Sequence, residues 1–201
     1  APSLVVACTP ERVDPRDALV TRSGARFADL EPASTLGTSS LRRRVQLSSW
    51  RPDLCVVPLR GNVDTPLPRC TEGSVDAIVL AHAGLIRLGL ADRVTELLEP
   101  ERCLPAIGQG ALAIETRADD PEVAELVRSL AHAESELAVA AERGVMLAVE
   151  GSCQVPVAAY AVREGQQLWL RGLLAEPDGS RLRSREVRVP WPADAAEAHG
   201  V

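Results

Sequence analysis

The residue best suited to covalent chemistry is Cys153, in the short connection Glu150-Gly-Ser-Cys-Gln-Val-Pro156. A helical pattern ends near Val149 and a strand pattern begins at Val155, so this cysteine falls on a loop. A loop side chain can point into a cleft, where a thiolate acts as a nucleophile or as an anchor for a ligand. Taken alone, however, a free cysteine is most commonly a small, inert residue of the core. Both interpretations of Cys153 are open at this point, and they predict different reactivity.

Four arginines and a hydroxyl-rich turn indicate a second kind of chemistry, the binding of anions. The turn Gly37–Ser40 precedes a predicted helix over residues 41–47, and N–H groups at a helix start attract negative charge. A run of three arginines in that helix is by itself typical of a solvated basic face, and Arg44 is expected to face solvent. Arg60 and Arg87 follow two other predicted strands, which favours convergence on one ligand with several carboxylates or phosphates. The candidate residues are Thr38, Ser39, Ser40, Arg42, Arg43, Arg60 and Arg87.

Strands that alternate with short helices must position these side chains. A buried strand is predicted at Leu4–Cys8, and two further strands are predicted at Leu54–Leu59 and Ala77–Ala81. A helix is predicted to start at Asp14-Pro-Arg-Asp17, with Asp14 as its N-cap. In the helix after Ser40, the arginines and Gln46 are expected on the polar sides. This order of elements predicts a parallel or mixed α/β sheet, in which ligands bind beyond the carboxyl ends of the strands.

The C-terminal part of the sequence predicts a small α+β domain. Gly108-Gln-Gly110 leads into a strand at Ala111–Thr116, which is followed by a helix at Pro121–Leu130 with Asp119 or Asp120 as its cap. A longer helix over Glu134–Val149 ends just before Cys153. Three strands joined by turns at residues 163–165 and 177–179 predict an antiparallel sheet. These strands are Val155–Val162, Leu168–Ala175 and Arg181–Val189, and residues 192–201 are interpreted as a frayed end or a truncated helix.

Composition excludes several classes of function. The chain has 201 residues, of which 46% are hydrophobic, and its net charge of −6 argues against nucleic acid as the main partner. Its five cysteines are widely spaced without a Cys-x-x-Cys pair, and its three histidines are isolated, so we expect no metal site. The cysteine spacing also fits a reducing compartment. With no signal peptide and no apolar run of membrane-span length, the sequence predicts a cytoplasmic protein.

Six motifs together resemble the porphobilinogen deaminase family, also called hydroxymethylbilane synthases. They occur in the order and at the spacing of that family over nearly the whole chain. The motifs are Gly37-Thr-Ser-Ser-Leu-Arg-Arg43, Leu59-Arg-Gly-Asn-Val-Asp-Thr65, Asp76-Ala-Ile-Val-Leu-Ala81, Ala83-Gly-Leu85 with Arg87, Leu104-Pro-Ala-Ile-Gly-Gln-Gly-Ala111 and Gly151-Ser-Cys-Gln-Val-Pro156.

The resemblance implies three domains, of which the first two are folded like periplasmic binding proteins and enclose the active site. Residues 1–13 and 111–130 would be a remnant of domain 1, residues 14–110 domain 2, and residues 131–201 domain 3 with a truncated C-terminus. The expected architecture is thus a periplasmic-binding-protein-like α/β domain beside a small α+β domain with a three-stranded antiparallel sheet.

The resemblance also implies an activity, the head-to-tail condensation of four porphobilinogen molecules with release of ammonia in tetrapyrrole and heme biosynthesis. The family builds its product on a dipyrromethane cofactor held by a thioether, and the cysteine that holds it matches Cys153. The carboxylate-binding arginines match Arg42, Arg43, Arg60 and Arg87. Thr38, Ser39, Ser40 and Gln109 fall on positions near cofactor and substrate.

Three departures from the family motivate an alternative. The family's His-Ser-x-Lys-Asp segment is absent, so no catalytic acid or base is assigned, and a missing N-terminal segment is an expected partner. Pro66 stands where the family has a further arginine, and Ser152 replaces a glycine. The alternative is a non-catalytic or split-gene remnant of the family that binds a polycarboxylate ligand.

Overall fold

The protein is represented by a computed structural model that describes residues 3–59, 66–149 and 155–201. These ranges contain ten strands and six α-helices. The strands are β1 (Leu4–Cys8), β2 (Asp17–Thr21), β3 (Thr35–Gly37), β4 (Cys55–Val57), β5 (Ala77–Ala81), β6 (Glu96–Leu98), β7 (Ile114–Arg117), β8 (Val157–Glu164), β9 (Gln167–Leu174) and β10 (Arg183–Pro190). The helices are α1 (Leu41–Trp50), α2 (Pro66–Thr71), α3 (His82–Arg87), α4 (Pro121–Arg128), α5 (Ala133–Ala148) and α6 (Ala195–His199).

A five-stranded mixed sheet with the order β4-β3-β5-β2-β6 positions the candidate site. Strand β3 is parallel to β4 and β5, whereas β2 runs antiparallel to both of its neighbours, β5 and β6. Because β2 is reversed, its first residue, Asp17, pairs with Ala81 at the carboxyl end of β5. The carboxylate of Asp17 therefore lies at the same edge of the sheet as the loops that follow the parallel strands, where ligands bind in such sheets.

The prediction of a helix starting at Asp14 is wrong, because residues 17–21 form the interior strand β2, which lies between β5 and β6. Leu19 packs in the apolar cluster on one face of the sheet, and Ala18 and Val20 pack in the cluster on the other face. The Asp14 side chain instead accepts a hydrogen bond from the backbone N–H of Arg16, two residues later, at 2.9 Å. Such a side-chain-to-backbone bond is typical of a turn. Asp-Pro sequences are found in turns as well as at helix starts. The apolar residues that follow are buried on both faces of the sheet, which favours a strand over a helix here.

The C-terminal part forms the three-stranded antiparallel sheet β10-β9-β8 that the sequence predicts. Helix α5 covers this sheet through small side chains, among them Ala138 and Ala141, which pack against Ala161 and Leu168. Side chains of this size let helix and sheet approach closely. The mixed α/β sheet and the small α+β unit confirm the expected fold class. Of the two interpretations of residues 192–201, the short helix α6 fits the helical one.

Strands β1 and β7 form a separate two-stranded antiparallel sheet, against which α4 packs. The prediction that β1 is buried is wrong for its first residues, since Leu4 is 62% exposed. Leu126 on α4 is 73% exposed as well. The helix cap is Asp120, whose carboxylate accepts from the Val123 N–H at 3.1 Å. We propose, as the sequence suggests, that this sheet and α4 belong to a domain distinct from the two larger sheets.

Candidate anion-binding site

The turn between β3 and α1 is held by its own hydroxyl groups. The Ser40 Oγ accepts from the backbone N–H of Arg43 at 3.4 Å and thereby caps α1. The Thr38 Oγ1 accepts from the Ser40 N–H at 3.3 Å, and the Thr38 side chain is buried, whereas Ser39 is exposed. These hydroxyls fix where the helix begins, and so fix the direction of the arginines in its first turn.

Arg42 and Arg43 both bind the carboxylate of Asp17. Arg42 donates from Nη1 to Oδ2 at 2.8 Å and from Nη2 to Oδ1 at 3.2 Å. Arg43 donates from Nε to Oδ1 at 2.9 Å. The prediction that Arg42 and Gln46 lie on polar sides of α1 is wrong, because both are buried, whereas Arg44 is exposed as expected. An arginine can be buried when a carboxylate compensates its charge, and Asp17 supplies that carboxylate.

Gln109 closes the cluster by using both ends of its amide group. Its Nε2 donates to Asp17 Oδ1 at 2.9 Å and to the carbonyl oxygen of Pro15 at 2.6 Å. Its Oε1 accepts from Nη2 of Arg42 at 3.3 Å and from Nη2 of Arg43 at 3.4 Å. The loop that carries Gln109 thus connects the two arginines to the same carboxylate.

The buried charges shift the pKa values of the cluster in opposite directions. Burial alone would raise the pKa of Asp17, but the charges of Arg42 and Arg43 outweigh it and hold that pKa well below its usual range. The thiol of Cys103 donates to Asp17 Oδ2 at 3.2 Å. Burial and the neighbouring Asp17 carboxylate raise the pKa of Cys103 to about 12, so this thiol stays protonated. Burial and the charge of Arg42 lower the pKa of Arg43 despite Asp17.

Arg87 reaches the same loop from helix α3. Its Nη2 donates to the carbonyl oxygen of Gly110 at 2.8 Å, directly beside Gln109. The structure therefore places Arg87 beside the loop that holds the Arg42 and Arg43 cluster. Arg60 and Cys153 lie outside the residues that the structure describes, so their part in the site stays a prediction.

Two members of the cluster, Asp17 and Cys103, are not among the site residues predicted from the sequence. Asp17 falls in the first turn of the predicted helix, which does not form. A charged residue that opens the apolar run Ala18-Leu-Val20 was the available signal, because a carboxylate beside a buried strand needs a partner. Cys103 is an isolated cysteine in the sequence, and nothing in its local pattern indicates a contact with Asp17.

Replacing Gly110 by alanine is expected to lower the free energy of unfolding by more than the about 1–2 kcal/mol of a left-handed backbone. Gly110 has a φ of 86°, and a Cβ there would lie 2.5 Å from the carbonyl oxygen of Val13. Gly108 has a φ of 69°, but a Cβ there would meet nothing within 4 Å. Gly108→Ala is therefore the matched control in urea denaturation. Equal losses in the two variants would contradict the clash at Gly110.

The comparisons with known proteins agree with a cofactor-binding α/β protein. Residues 1–125 match the family model "Porphobilinogen deaminase, dipyromethane cofactor binding domain", and residues 136–201 match "Porphobilinogen deaminase, C-terminal domain". The chain belongs to the porphobilinogen deaminase family. Its first 125 residues thus carry the part of the family that binds the dipyrromethane cofactor.

Two curated relatives show how much of the family's length the chain spans. It is 61% identical over 198 residues to the porphobilinogen deaminase of Sorangium cellulosum, covering 98% of this chain and 66% of the relative. It is 49% identical over 185 residues to that of Roseiflexus sp., covering 92% of this chain and 61% of the relative. A solved arginine-specific periplasmic binding protein of Salmonella typhimurium is 16% identical, with 64% of this chain and 57% of that one covered and a TM-score of 0.37.

Proposed function

We propose that the protein carrying this chain is a hydroxymethylbilane synthase, a transferase of tetrapyrrole and heme biosynthesis. It joins four porphobilinogen molecules head to tail and releases ammonia at each condensation. The observation that carries the proposal is the buried cluster of Arg42, Arg43 and Gln109 around Asp17, at the strand edge of a chain from this family.

The charges at this edge fit a carboxylated cofactor. Arg42 and Arg43 share the single carboxylate of Asp17, so this edge of the sheet carries more positive than negative charge among the described residues. We propose that Arg43 and Arg87, together with Arg60, hold carboxylates of dipyrromethane and of the growing chain. When bound through a thioether to Cys153, the cofactor supplies the primer on which the pyrrole chain is extended.

The substrate assignment follows from the same donors. Porphobilinogen carries an acetate and a propionate, and arginine is suited to hydrogen-bonded recognition of carboxylates. Thr38 and Ser40 serve by fixing the start of α1, and Ser39 is the exposed hydroxyl of that turn. Gln109 serves by holding the two arginines in place.

We propose the cytoplasm as the location of the protein. In the described ranges, no helix is long and apolar enough to cross a membrane. Cys8, Cys55, Cys70 and Cys103 are free thiols, which fits a reducing compartment.

A second candidate is a family member that binds a polycarboxylate without turnover. Pro66 favours it, because this residue opens α2 with a buried ring where the family has a further arginine. A proline is compatible with a first helical turn, so the fold tolerates the change while one cation is lost.

A fusion protein tests the two candidates. In it, this chain is joined to the part of the Sorangium cellulosum relative that it does not match, and the chain alone is the baseline. We expect the fusion protein to consume porphobilinogen and release ammonia. Arg43→Leu should raise the KM by about 10- to 150-fold, since losing a hydrogen bond to a charged group costs about 1.5–3 kcal/mol.

The matched control is Arg44→Leu, which changes an exposed arginine of the same helix and should leave the KM unchanged. A folded fusion protein that binds porphobilinogen without consuming it would favour the second candidate. One that neither binds nor consumes it would contradict both.

A further inference from the structure

Asp17 is fully buried at the centre of the anion site, and the proposed reaction gives it no role. Its two oxygens accept from donors on four side chains. Oδ1 accepts from Arg42, Arg43 and Gln109, and Oδ2 accepts from Arg42 and Cys103. A carboxylate with this many donors is confined to one orientation, and so are the groups that donate to it.

The terminal donors of Arg42 are used inside the protein. Its Nη1 donates to Asp17 and, at 2.6 Å, to the carbonyl oxygen of Leu104, while its Nη2 donates to Asp17 and Gln109. The side chain of Arg42 is only 5% exposed. Arg42 therefore acts as a fixed support and has no terminal N–H left for a ligand in this arrangement.

Arg43 differs from Arg42 in one edge of its guanidinium group. The Oδ1 of Asp17 lies 2.9 Å from Nε and 2.8 Å from Nη2 of Arg43. The Nη1 of Arg43 makes a single long contact, 3.5 Å to the carbonyl oxygen of Val79, among the described residues. The side chain is 11% exposed. Nη1 of Arg43 is thus the donor of this pair that remains available to a ligand carboxylate.

The charge of the cluster leads to the same conclusion. Among the residues that the structure describes, two guanidinium groups and one carboxylate leave one positive charge without a partner, because Gln109 is neutral and the thiol of Cys103 is protonated. Without Asp17, two like charges would lie next to each other in a buried site and would repel. With Asp17, both arginines stay aligned and the cluster still attracts one further carboxylate.

We propose that Asp17 is the positioning residue of the carboxylate site: it fixes Arg42 as a support, aligns Arg43 so that its Nη1 binds a ligand carboxylate, and holds Gln109 between them. The carboxylate belongs to a pyrrole, and this identity rests on the proposed function. The rival role for Asp17 is purely structural, in which it stabilises the sheet without any effect on the ligand.

Titration calorimetry of this chain with porphobilinogen measures the binding affinity and separates the two roles. Circular dichroism shows whether each variant is folded. Asp17→Asn should weaken porphobilinogen binding by about tenfold or more, because Arg42 and Arg43 lose the charge that aligns them. Asp76→Asn is the matched control. Asp76 accepts from the N–H and hydroxyl of Thr35 at the start of β3, away from the anion site.

Formate adds a measurement that a structural role would not move. In the unsubstituted chain, formate competes with the ligand for Arg43 and should weaken porphobilinogen binding. In Asp17→Ala, formate fills the space between Arg42 and Arg43 and should strengthen it. Opposite signs support the positioning role. Competition in both proteins, or stabilisation of Asp17→Ala by formate with no gain in porphobilinogen affinity, would overturn it.

The outcomes also distinguish this inference from the proposed function. If the unsubstituted chain binds porphobilinogen and the fusion protein does not consume it, only the proposed function fails. If Asp17→Asn and the unsubstituted chain bind porphobilinogen equally well, only the positioning role fails. Absence of binding by the unsubstituted chain would overturn both. Should Asp17→Ala fail to fold, the comparison of Asp17→Asn with Asp76→Asn still decides.

Discussion

In the fusion protein, Cys153→Ser is expected to remove the covalent dipyrromethane and with it all porphobilinogen consumption. The assignment of Cys153 as the anchor comes from the family motif, since this residue lies outside the described ranges. A serine cannot replace the thiolate as a nucleophile, because its hydroxyl is not ionised near neutral pH. Loss of the tether removes the primer, so the expected effect is complete rather than partial.

The structure explains why three other cysteines are unsuited to this role. Cys8, Cys70 and Cys103 are buried. Burial raises the pKa of Cys70, and burial with the charge of Asp17 raises the pKa of Cys103 to about 12. Neither thiol forms a thiolate at neutral pH, so neither is a nucleophile.

Cys55 is the matched control for this experiment. It falls in the strand predicted over Leu54–Leu59, and the structure shows it exposed on β4, at the edge of the sheet. Exposure makes it the described cysteine most accessible to reagents. Mass spectrometry of the fusion protein after incubation with porphobilinogen should find two pyrrole units on the Cys153 peptide and none on the Cys55 peptide. An adduct that persists in Cys153→Ser and disappears in Cys55→Ser would refute the assignment.

Local chemistry made part of the site predictable from sequence. The N-cap of α1 is a hydrogen bond between Ser40 and the N–H of Arg43, only three positions apart. The hydroxyl-rich turn in the sequence therefore predicts where this helix begins. The strand β5 and the C-terminal hairpins follow from apolar runs and turn residues in the same way. The exposure of Arg44 follows from helical periodicity once its neighbours are placed.

The burial of Arg42 depends on contacts that no local pattern records. Its partner Asp17 lies 25 positions earlier, and Gln109 lies 67 positions later. These residues meet only because β2 inserts antiparallel between β5 and β6. Periodicity treats an arginine as polar surface, whereas a paired guanidinium can be buried. The same pairing explains why a turn and a strand form where a helix at Asp14 is predicted. Hydrogen bonds of β2 to both β5 and β6 outweigh the local preference for a helix cap.

Arg42→Leu is expected to lower the free energy of unfolding by about 3 kcal/mol, although leucine suits a helix and a core. Removing one partner of a buried ion pair costs about 3–5 kcal/mol. The lower end applies because Arg43 still compensates Asp17. The variant also removes the donor that Arg42 provides to the carbonyl oxygen of Leu104. Urea denaturation at neutral pH measures the change, and Arg44→Leu, at an exposed position, should stay within about 0.5 kcal/mol.

The pH dependence of this loss identifies its cause. The folded pKa of Asp17 is held below its unfolded value, so the ion pairs stabilise the fold above the unfolded pKa, about 4, and are lost as pH falls below it. The difference between the unsubstituted chain and Arg42→Leu should therefore be full at pH 7 and shrink as the pH is lowered below about 4. A difference that stays constant with pH would show that Arg42 stabilises the fold by packing alone. A decrease in the free energy of unfolding of less than about 1 kcal/mol at pH 7 would indicate that the ion pair is exposed to solvent, because exposed ion pairs contribute no more than that.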